Sequence, residues 1–214
     1  MILVQPTYFS TIIQYAAVVN AKELLFEFED NFQKQTYRNR CYIAGANGKQ
    51  LLNIPIKHNK TKDGKSKTKD IQIDYETSQW HKTHLKSLQA AYNSSPFYEY
   101  YEDDIQNILL KKHKYLIDLN IETHSFVMEM LQENIPYNRT SDFQLTNVTA
   151  TDFRELVNAK SKSEINLPVY IQMFDEKHSF LENLSILDLL FMEGPASLNY
   201  LNKVHSLLKK ENKF

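Results

Sequence analysis

Two closely spaced arginines are the first residues in this sequence that indicate binding chemistry. Arg38 and Arg40 flank Asn39, in a chain that has four arginines in total. A guanidinium group is planar and can hold a carboxylate or a phosphate through two hydrogen bonds. In a strand, Arg38 and Arg40 would point to one face and Asn39 to the other. The alternative interpretation is a surface salt-bridge cluster with the acidic residues between 27 and 30.

Further polar residues stand where two predicted strands end. Gln5 and Tyr8 follow the first strand, and Glu29 and Lys34 follow the second. Ligands of open α/β sheets bind beyond the carboxyl ends of parallel strands, where loops and helix N-termini converge. These residues, together with the segment 38–40, therefore predict a groove that binds a small anionic or sugar ligand.

Other clusters favour structural roles. His81 and His84 are three residues apart on a predicted helix and could share a metal ion. No third ligand has matching spacing, and Lys82 and Lys86 would repel a cation, so we predict no metal site and a packed, hydrogen-bonded His84. The acidic run 102–104 after several tyrosines is more typical of a solvated helix face than of a sugar site. No nucleophile with a neighbouring base is visible, so catalytic residues and cofactors stay unassigned.

A βαβ unit is predicted to position the groove residues. Residues 2–4 form a short apolar run that Gln5-Pro6 stops, which is typical of a buried strand. Apolar residues then recur every three or four positions from 9 to 20, which predicts a helix. Residues 24–28 alternate as a second strand. The crossover makes the two strands parallel, with a right-handed connection.

A β-hairpin and a basic loop follow this unit. Residues 41–46 and 50–56 flank Asn47-Gly48, a strong hairpin signal because both residues tolerate positive φ. The loop 58–70 carries five lysines and almost no apolar residue, so we predict that it is mobile. Residues 71–75 alternate as a further strand.

The remainder of the chain is predicted to be mainly helical. Thr77 or Ser78 caps a helix that runs to residue 92, and one or two long helices span 97–134. Residues 152–158 begin with a capping-box pattern, and 169–174 form a candidate strand. Ser185 and Asp188 form a second such box, in which the serine hydroxyl accepts the Asp188 N–H as a structural helix start. A last helix spans 196–210.

The predicted fold class is therefore α/β, with an N-terminal βαβ unit, a mixed sheet and a β-hairpin, followed by a helical middle and C-terminal part. We expect one domain over residues 1–214, with a sheet-rich half at 1–75 and a mainly helical half at 78–214.

Composition limits the classes of function. The chain has 214 residues, 25 Lys+Arg against 26 Asp+Glu, and a net charge of -1, so no overall field attracts polyanions and nucleic acid is an improbable partner. Four glycines are too few for a Gly-rich phosphate loop or a dinucleotide fingerprint. The uncharged first 21 residues are too polar for a signal peptide or a membrane span. Together with the single Cys41, this predicts a cytoplasmic protein.

Five runs of residues carry a resemblance to a known family. They are Gln-Pro-Thr-Tyr-Phe at 5–9 with Gln-Tyr at 14–15, Lys-Gln-Thr-Tyr-Arg-Asn-Arg at 34–40, Asn-Gly at 47–48 with Leu-Asn-Ile-Pro-Ile at 52–56, the segment 80–88 with Ser-Ser-Pro-Phe-Tyr at 94–98, and the segment 183–191 with Glu-Gly-Pro at 193–195. In this order they resemble the WbqC-like protein family of bacteria, over nearly the whole chain. The resemblance implies an association with O-antigen and other surface polysaccharides, and a transferase that moves glycine or another acyl group to an amino-sugar. The resemblance implies functional or structural importance, without a defined chemical role, for the positions that match the family motifs. These are Gln5, Tyr8, Arg38, Asn39, Arg40, His84, Asn183, Ser185 and Asp188.

Two departures from the family pattern support alternative functions. Val4 stands where many members have histidine before Gln-Pro, and this chain has no Ser-Gly dipeptide where many members have a Ser-Gly-rich segment. The first alternative is a non-catalytic anion- or sugar-binding protein that has lost part of the family active site. The second is an RNA-binding protein that uses the lysine loop and exposed tyrosines, which the net charge disfavours.

Overall fold

The computed structural model describes residues 1–57, 65–146, 149–161 and 165–210. In chain order, the elements are β1 (Ile2–Val4), α1 (Ile12–Val18), β2 (Leu24–Phe26), β3 (Arg40–Gly45), β4 (Gly48–Asn53), α2 (Trp80–Tyr92), α3 (Tyr98–Leu110), α4 (Leu116–Met130), β5 (Tyr137–Arg139), β6 (Thr151–Asp152), α5 (Asp175–His178), α6 (Ile186–Glu193) and α7 (Ser197–Lys210). Short 3₁₀ turns lie at Thr68–Asp70, Arg154–Val157 and Gly194–Ala196.

The central sheet is parallel and confirms the predicted βαβ unit. Its strand order is β5-β2-β1-β6, and Ile2 of β1 is in register with Leu24 of β2. Side chains alternate across the sheet, so Ile2 and Val4 face the same core as Leu24 and Phe26. The α/β class is therefore confirmed, with the parallel strands in one sheet and the antiparallel hairpin in another.

Helix α1 is shorter than the predicted stripe and completely buried. Thr11 is its N-cap, and the Thr11 hydroxyl accepts the N–H of Gln14 at 3.3 Å. Phe9 has a φ of 38°, which excludes it from a right-handed helix, so the chain turns before the helix begins. Every residue of α1 is buried, and α1 packs against α6 and α7.

The hairpin is confirmed, with its turn one residue earlier than predicted. Strands β3 and β4 pair from Arg40↔Asn53 to Gly45↔Gly48, so Ala46 and Asn47 form the loop. Gly48 alone takes a positive φ, of 99°, whereas the predicted turn needs it at two residues. A left-handed glycine directly after a type I turn is the usual three-residue alternative.

Three other predicted elements differ from the structure. Residues 71–75 form isolated bridges, Ile56↔Ile73 and Gln72↔Tyr115, in place of a strand, although Ile71 and Ile73 are buried as the alternation requires. Residues 169–171 have no regular structure. The capping-box helix at 152–158 is a 3₁₀ turn, because Asp152 belongs to β6 and its carboxylate bonds the Arg154 side chain.

The helical part follows the predicted periodicity but not the predicted caps. The long segment 97–134 forms two helices, α3 and α4. Helix α2 begins after Gln79, without a side-chain cap from Thr77 or Ser78. The Thr77 side chain bonds Asp74 instead. None of the helices in the described parts of the chain is long and apolar enough to cross a membrane.

Part of the basic loop is held against the sheet edge. Residues 58–64 lie outside the described residues, so mobility there stays a prediction. Lys67 donates to the Glu29 carbonyl, Lys69 pairs with the Glu29 carboxylate at 2.6 Å, and the Thr68 N–H donates to the Asp30 carbonyl at 2.9 Å. For residues 65–70 the prediction of a solvated mobile loop is therefore wrong, because Glu29 and Asp30 bind them.

Candidate functional site

A groove lies at the carboxyl ends of the parallel strands, as the strand order predicts. The chain leaves β1 at Gln5, and the segment after β6 closes the opposite side. The groove has a volume of about 600 Å³, within the range of small-molecule sites. It is lined by Gln5, Asp30, Gln33, Arg38, Phe143, Leu145, Asp152, Arg154, Glu155, Val157, Asn158 and Ser161.

Side-chain amides that donate to backbone carbonyls hold the two predicted segments beside each other. The Gln14 amide on α1 donates to the Gln5 carbonyl at 2.9 Å. The Asn120 amide on α4 donates to the Pro6 carbonyl at 3.1 Å and to the Arg38 carbonyl at 2.9 Å. Asn120 is 1% exposed, so this amide is a fixed brace between the end of β1 and the arginine segment.

A buried ion pair forms the floor of the groove. Nη2 of Arg38 donates to Oδ2 of Asp30 at 2.5 Å, and the side chains are 1% and 8% exposed. The same carboxylate accepts the Gln5 amide at 3.0 Å and the Thr68 hydroxyl at 2.6 Å. Burial lowers the pKa of the Arg38 guanidinium, while Asp30 acts in the opposite direction. Arginine nevertheless stays protonated, so the floor carries a permanent cation.

Arg38 keeps hydrogen-bonding capacity that its protein partners do not use. Its Nε and Nη1 are buried and have no partner among the described residues. The Oε1 atom of Gln5 is likewise buried and unpartnered in the described chain. Buried polar groups are almost always hydrogen-bonded, so unpaired guanidinium N–H groups in a groove point to a ligand or to solvent as their partner. The charge of Arg38 is balanced by Asp30, but its two unpaired groups are N–H donors, so they suit a ligand that offers acceptor oxygens, as a phosphate does.

Arg154 at the opposite wall is already fully engaged. Its guanidinium bonds the Asp152 carboxylate through Nε and Nη2, and Nη1 bonds Glu27 at 3.0 Å. It also donates to the carbonyl groups of Gln144 and Leu145. The hydrogen bond to Asp152 is the largest cause of the raised Arg154 pKa. Arg154 therefore ties β6 to the loop at 144–145 and positions the wall.

Exposed apolar side chains stand at the rim. Leu145 is 83% exposed and Phe143 is 47% exposed, and the Arg154 guanidinium lies 5.3 Å from the centroid of the Phe143 ring. Few large apolar residues of the described chain are this exposed. Their position beside a polar floor gives the groove both an apolar and an anion-binding part.

The other sequence candidates of this region lie outside the groove lining. Glu29 binds Lys67 and Lys69. The Asn39 amide donates to the Ile54 carbonyl at 2.9 Å and so braces the hairpin. Lys34 is exposed and Arg40 is half-buried, and neither lines the groove. Of the predicted arginine pair, the structure brings only Arg38 into the groove.

Tyr8 and His84 contact each other elsewhere in the core. The Tyr8 hydroxyl lies 3.0 Å from Nδ1 of His84, and both residues are buried. His84 also packs edge-to-face against Trp80 with ring centroids 5.2 Å apart. The structure thus has the packed, hydrogen-bonded histidine that the sequence predicts. The described residues contain no cluster of three or more potential metal ligands.

Buried histidines make stability depend on pH. Burial lowers the pKa of His84 to about 4, with a backbone hydrogen bond to Asn53 acting against it, and lowers that of His124 to about 4. Unfolded histidine titrates near 6.5, so below that pH the unfolded state binds protons that the folded state refuses. The stabilisation that comes from keeping these histidines neutral is therefore complete above pH 6.5 and is lost as the pH falls towards 4. We expect each histidine to remove about 2 kcal/mol of unfolding free energy between pH 7 and pH 5.

Urea denaturation at a series of pH values measures this effect. The His84→Gln variant should lose about half of the pH dependence, and His178→Gln, at the surface, should keep it. A wild-type protein with equal stability at pH 7 and pH 5 would contradict the buried neutral state of both histidines.

Ser185 and Asp188 form a structural centre that is separate from the groove. The Ser185 hydroxyl accepts the N–H of Leu187 at 3.3 Å and donates to the Phe9 carbonyl at 2.7 Å. Ser185 is thus the predicted N-cap, but its partner is Leu187 and not Asp188. Asp188 cannot complete a capping box, because its carboxylate accepts the hydroxyls of Tyr92 at 2.6 Å and Tyr170 at 2.5 Å.

Sequence reasoning missed several residues that build the groove. Asn120 lies more than 80 residues along the chain from Pro6 and Arg38, which it holds, and Arg154 lies 127 residues from Glu27. The capping-box spacing identified Asp152 as the start of a helix, and not as a residue of the groove. The only local signal for Arg154 is that it is one of four arginines, which does not distinguish a surface residue from a wall of the site.

Comparison with known proteins supplies the family. The model of the WbqC-like protein family matches residues 5–166, which is more than half of the chain. The match contains the runs at 5–9, 34–40, 47–56 and 80–98, whereas the run at 183–195 lies beyond it. Comparison with curated proteins and with solved structures yields no match. The matched segment contains Gln5, Arg38 and the wall at 152–161, and the chain belongs to the WbqC-like protein family.

Proposed function

We propose that this chain is a cytoplasmic transferase that moves a glycyl or other acyl group from an activated donor to an amino-sugar, in the synthesis of a bacterial surface polysaccharide. The observation that carries the proposal is Arg38, a buried cation with unpaired Nε and Nη1 in a groove of about 600 Å³. Activated acyl and sugar donors carry phosphate groups, which a buried guanidinium binds through charge-assisted hydrogen bonds.

The groove has the groups for direct transfer between two bound substrates. The amine would attack the acyl carbon, forming a C–N bond while the bond to the leaving group breaks. Arg38 would stabilise the negative charge of the departing group. The Glu155 carboxylate lines the groove and has no side-chain partner in the described chain, so it is the candidate to accept the amine proton.

A covalent acyl-enzyme intermediate receives less support from the lining. Ser161 is a hydroxyl in the groove, but none of the described lining residues is histidine or cysteine. A serine without a neighbouring base is a weak nucleophile. Direct transfer, in which positioning and charge stabilisation carry the catalysis, therefore fits this lining best.

Calorimetric titration with nucleoside diphosphate hexosamines and with acyl-adenylates tests the binding step. Arg38→Lys keeps a cation beside Asp30 but loses the planar set of donors, so affinity should fall about 10-fold to 100-fold. Arg40→Gln should leave affinity within twofold, because Arg40 does not line the groove. Equal affinity of wild type and Arg38→Lys would contradict the proposal.

A second variant pair avoids the buried ion pair. Gln33 and Gln35 are exposed on the same loop, but only Gln33 lines the groove. Gln33→Glu adds a negative charge at the rim and should weaken anion binding several-fold more than Gln35→Glu does. Binding of the donor without any product in the presence of an amino-sugar would favour the alternative of a non-catalytic binding protein.

A further inference from the structure

A second cavity lies behind the wall of the groove. Its volume is about 510 Å³, and residues that line it include Tyr37, Tyr42, Lys49, Lys160, Ile165 and Leu167. Tyr37 precedes Arg38, yet the two side chains line different cavities. Ser161 lines both. The two cavities are therefore neighbours that share one wall.

Backbone pairing fixes this shared wall. The Tyr37 N–H donates to the Val157 carbonyl at 2.8 Å, and the Ala159 N–H donates to the Gln35 carbonyl at 3.3 Å. Thr36 and Asn158 form an antiparallel bridge between the same segments. The pairing fixes the segment that carries Tyr37 and Arg38 against the segment 157–159, which continues to Ser161.

The lining combines aromatic surface with hydrogen-bonding groups. Tyr37 and Tyr42 pack edge-to-face, with ring centroids 6.3 Å apart at 86°, and Ile165 and Leu167 are buried beside them. Burial raises the pKa of Tyr37 to about 12, so its hydroxyl is a donor at neutral pH. The hydroxyls of Tyr37 and Tyr42 have no hydrogen-bond partner among the described residues.

Two lysines give the cavity a positive side. Lys49 comes from β4 and donates to the Glu182 carbonyl, while Lys160 comes from the shared wall and is exposed. A carbonyl neutralises no charge, and the described residues of the cavity lining include one carboxylate, that of Glu182, against two ammonium groups. The cavity therefore favours a ligand that carries negative charge.

We infer that this cavity is a second subsite, which binds the ring of a sugar phosphate beside the groove of Arg38. A pyranose ring presents C–H groups to an aromatic ring and hydroxyls around its edge. The tyrosine rings can pack against the C–H groups of the pyranose. The tyrosine hydroxyls, the lysines, Ser161 and Asn183 can form hydrogen bonds with its hydroxyls. A nucleobase has fewer edge groups and would leave many of these donors unpaired. Assignment of this subsite to the acceptor sugar rests on the proposed function, whereas the binding itself does not.

Titration with glucosamine 6-phosphate as the probe tests the subsite in the full chain. Wild type should bind the probe saturably, and Tyr42→Leu and Lys160→Gln should each weaken binding at least tenfold. The matched controls are Tyr100→Leu, an exposed tyrosine on α3, and Lys82→Gln on α2, which should both stay within twofold. Tyr42→Phe keeps the ring, and its affinity for the probe should fall only several-fold. This variant separates the loss of the hydroxyl from a loss of the fold.

Further outcomes separate this inference from the proposed function. Arg38→Lys should leave binding of glucosamine 6-phosphate within twofold while it weakens the nucleoside diphosphate hexosamine. Loss of both ligands in Arg38→Lys would mean a single site and would overturn the second subsite. Competition by a free nucleoside as strong as that by the sugar phosphate would overturn the sugar class. Unchanged affinity in Tyr42→Leu would also overturn the assignment.

Discussion

Replacing Asp188 with alanine is expected to lower the free energy of unfolding by about 3–5 kcal/mol, a large part of the stability of a chain of this size. The carboxylate is completely buried and accepts three hydrogen bonds, from Tyr92, Tyr170 and the Gln172 amide at 3.1 Å. Tyr92 also accepts the Ala44 N–H at 2.9 Å, so this centre joins α6 to the hairpin and to α2. Removing the acceptor leaves these donors buried and unpaired.

Equilibrium denaturation by urea, followed by circular dichroism, measures this loss. Tyr170→Phe removes a single hydrogen bond and should cost about 1–2 kcal/mol. The control Asp104→Ala lies on an exposed position of α3 and should stay within about 0.5 kcal/mol of wild type. A loss below about 1 kcal/mol in Asp188→Ala would show that the tyrosine hydroxyls find other partners.

The second large effect is expected at the floor of the groove. Arg38→Leu should lower the free energy of unfolding by about 3–5 kcal/mol, because it leaves the Asp30 carboxylate buried without its cation. Asp30→Leu should have a similar cost, since it leaves Arg38 as an unpaired buried charge. In the double variant neither charge remains, so its loss should be clearly smaller than the sum of the single losses.

A double-mutant cycle by denaturation gives the coupling energy, which we expect to be about 2–3 kcal/mol. The matched surface cycle uses the exposed pair of Lys57 and Glu76 and should give less than about 1 kcal/mol. Additive losses at Arg38 and Asp30 would mean that the pair is not coupled and that the floor of the groove is differently arranged.

The sequence predicts the first half of the sheet because the information there is local. Residues 2–4 and 24–26 are apolar runs with clear stops, and a helical stripe connects them. Strands β5 and β6 consist mainly of polar residues, Tyr137–Arg139 and Thr151–Asp152. Their strand conformation depends on hydrogen bonds to β2 and β1, which lie more than 100 residues earlier in the chain, and no local pattern reports such pairing.

The same distinction applies to the groove. Gln5 was predictable because it directly follows a predicted strand, and Arg38 because it is one of two closely spaced arginines downstream of the second strand. The sequence predicted that Arg38 and Arg40 share one face of a strand, but β3 begins at Arg40, so the alternation does not extend to Arg38 and only Arg38 lines the groove. Ser185 shows the limit of motif spacing, since Asp188 has the expected position but bonds Tyr92 and Tyr170, which become its neighbours only in the folded chain.

The donor-binding role of Arg38 is tested most directly by a crystal structure of the chain grown with an acyl-adenylate. We expect phosphate oxygens about 3 Å from Nε or Nη1 of Arg38, at the floor of the groove between Gln5 and the wall at 152–161. Phosphate bound away from Arg38, in a crystal whose groove is open to solvent, would contradict it.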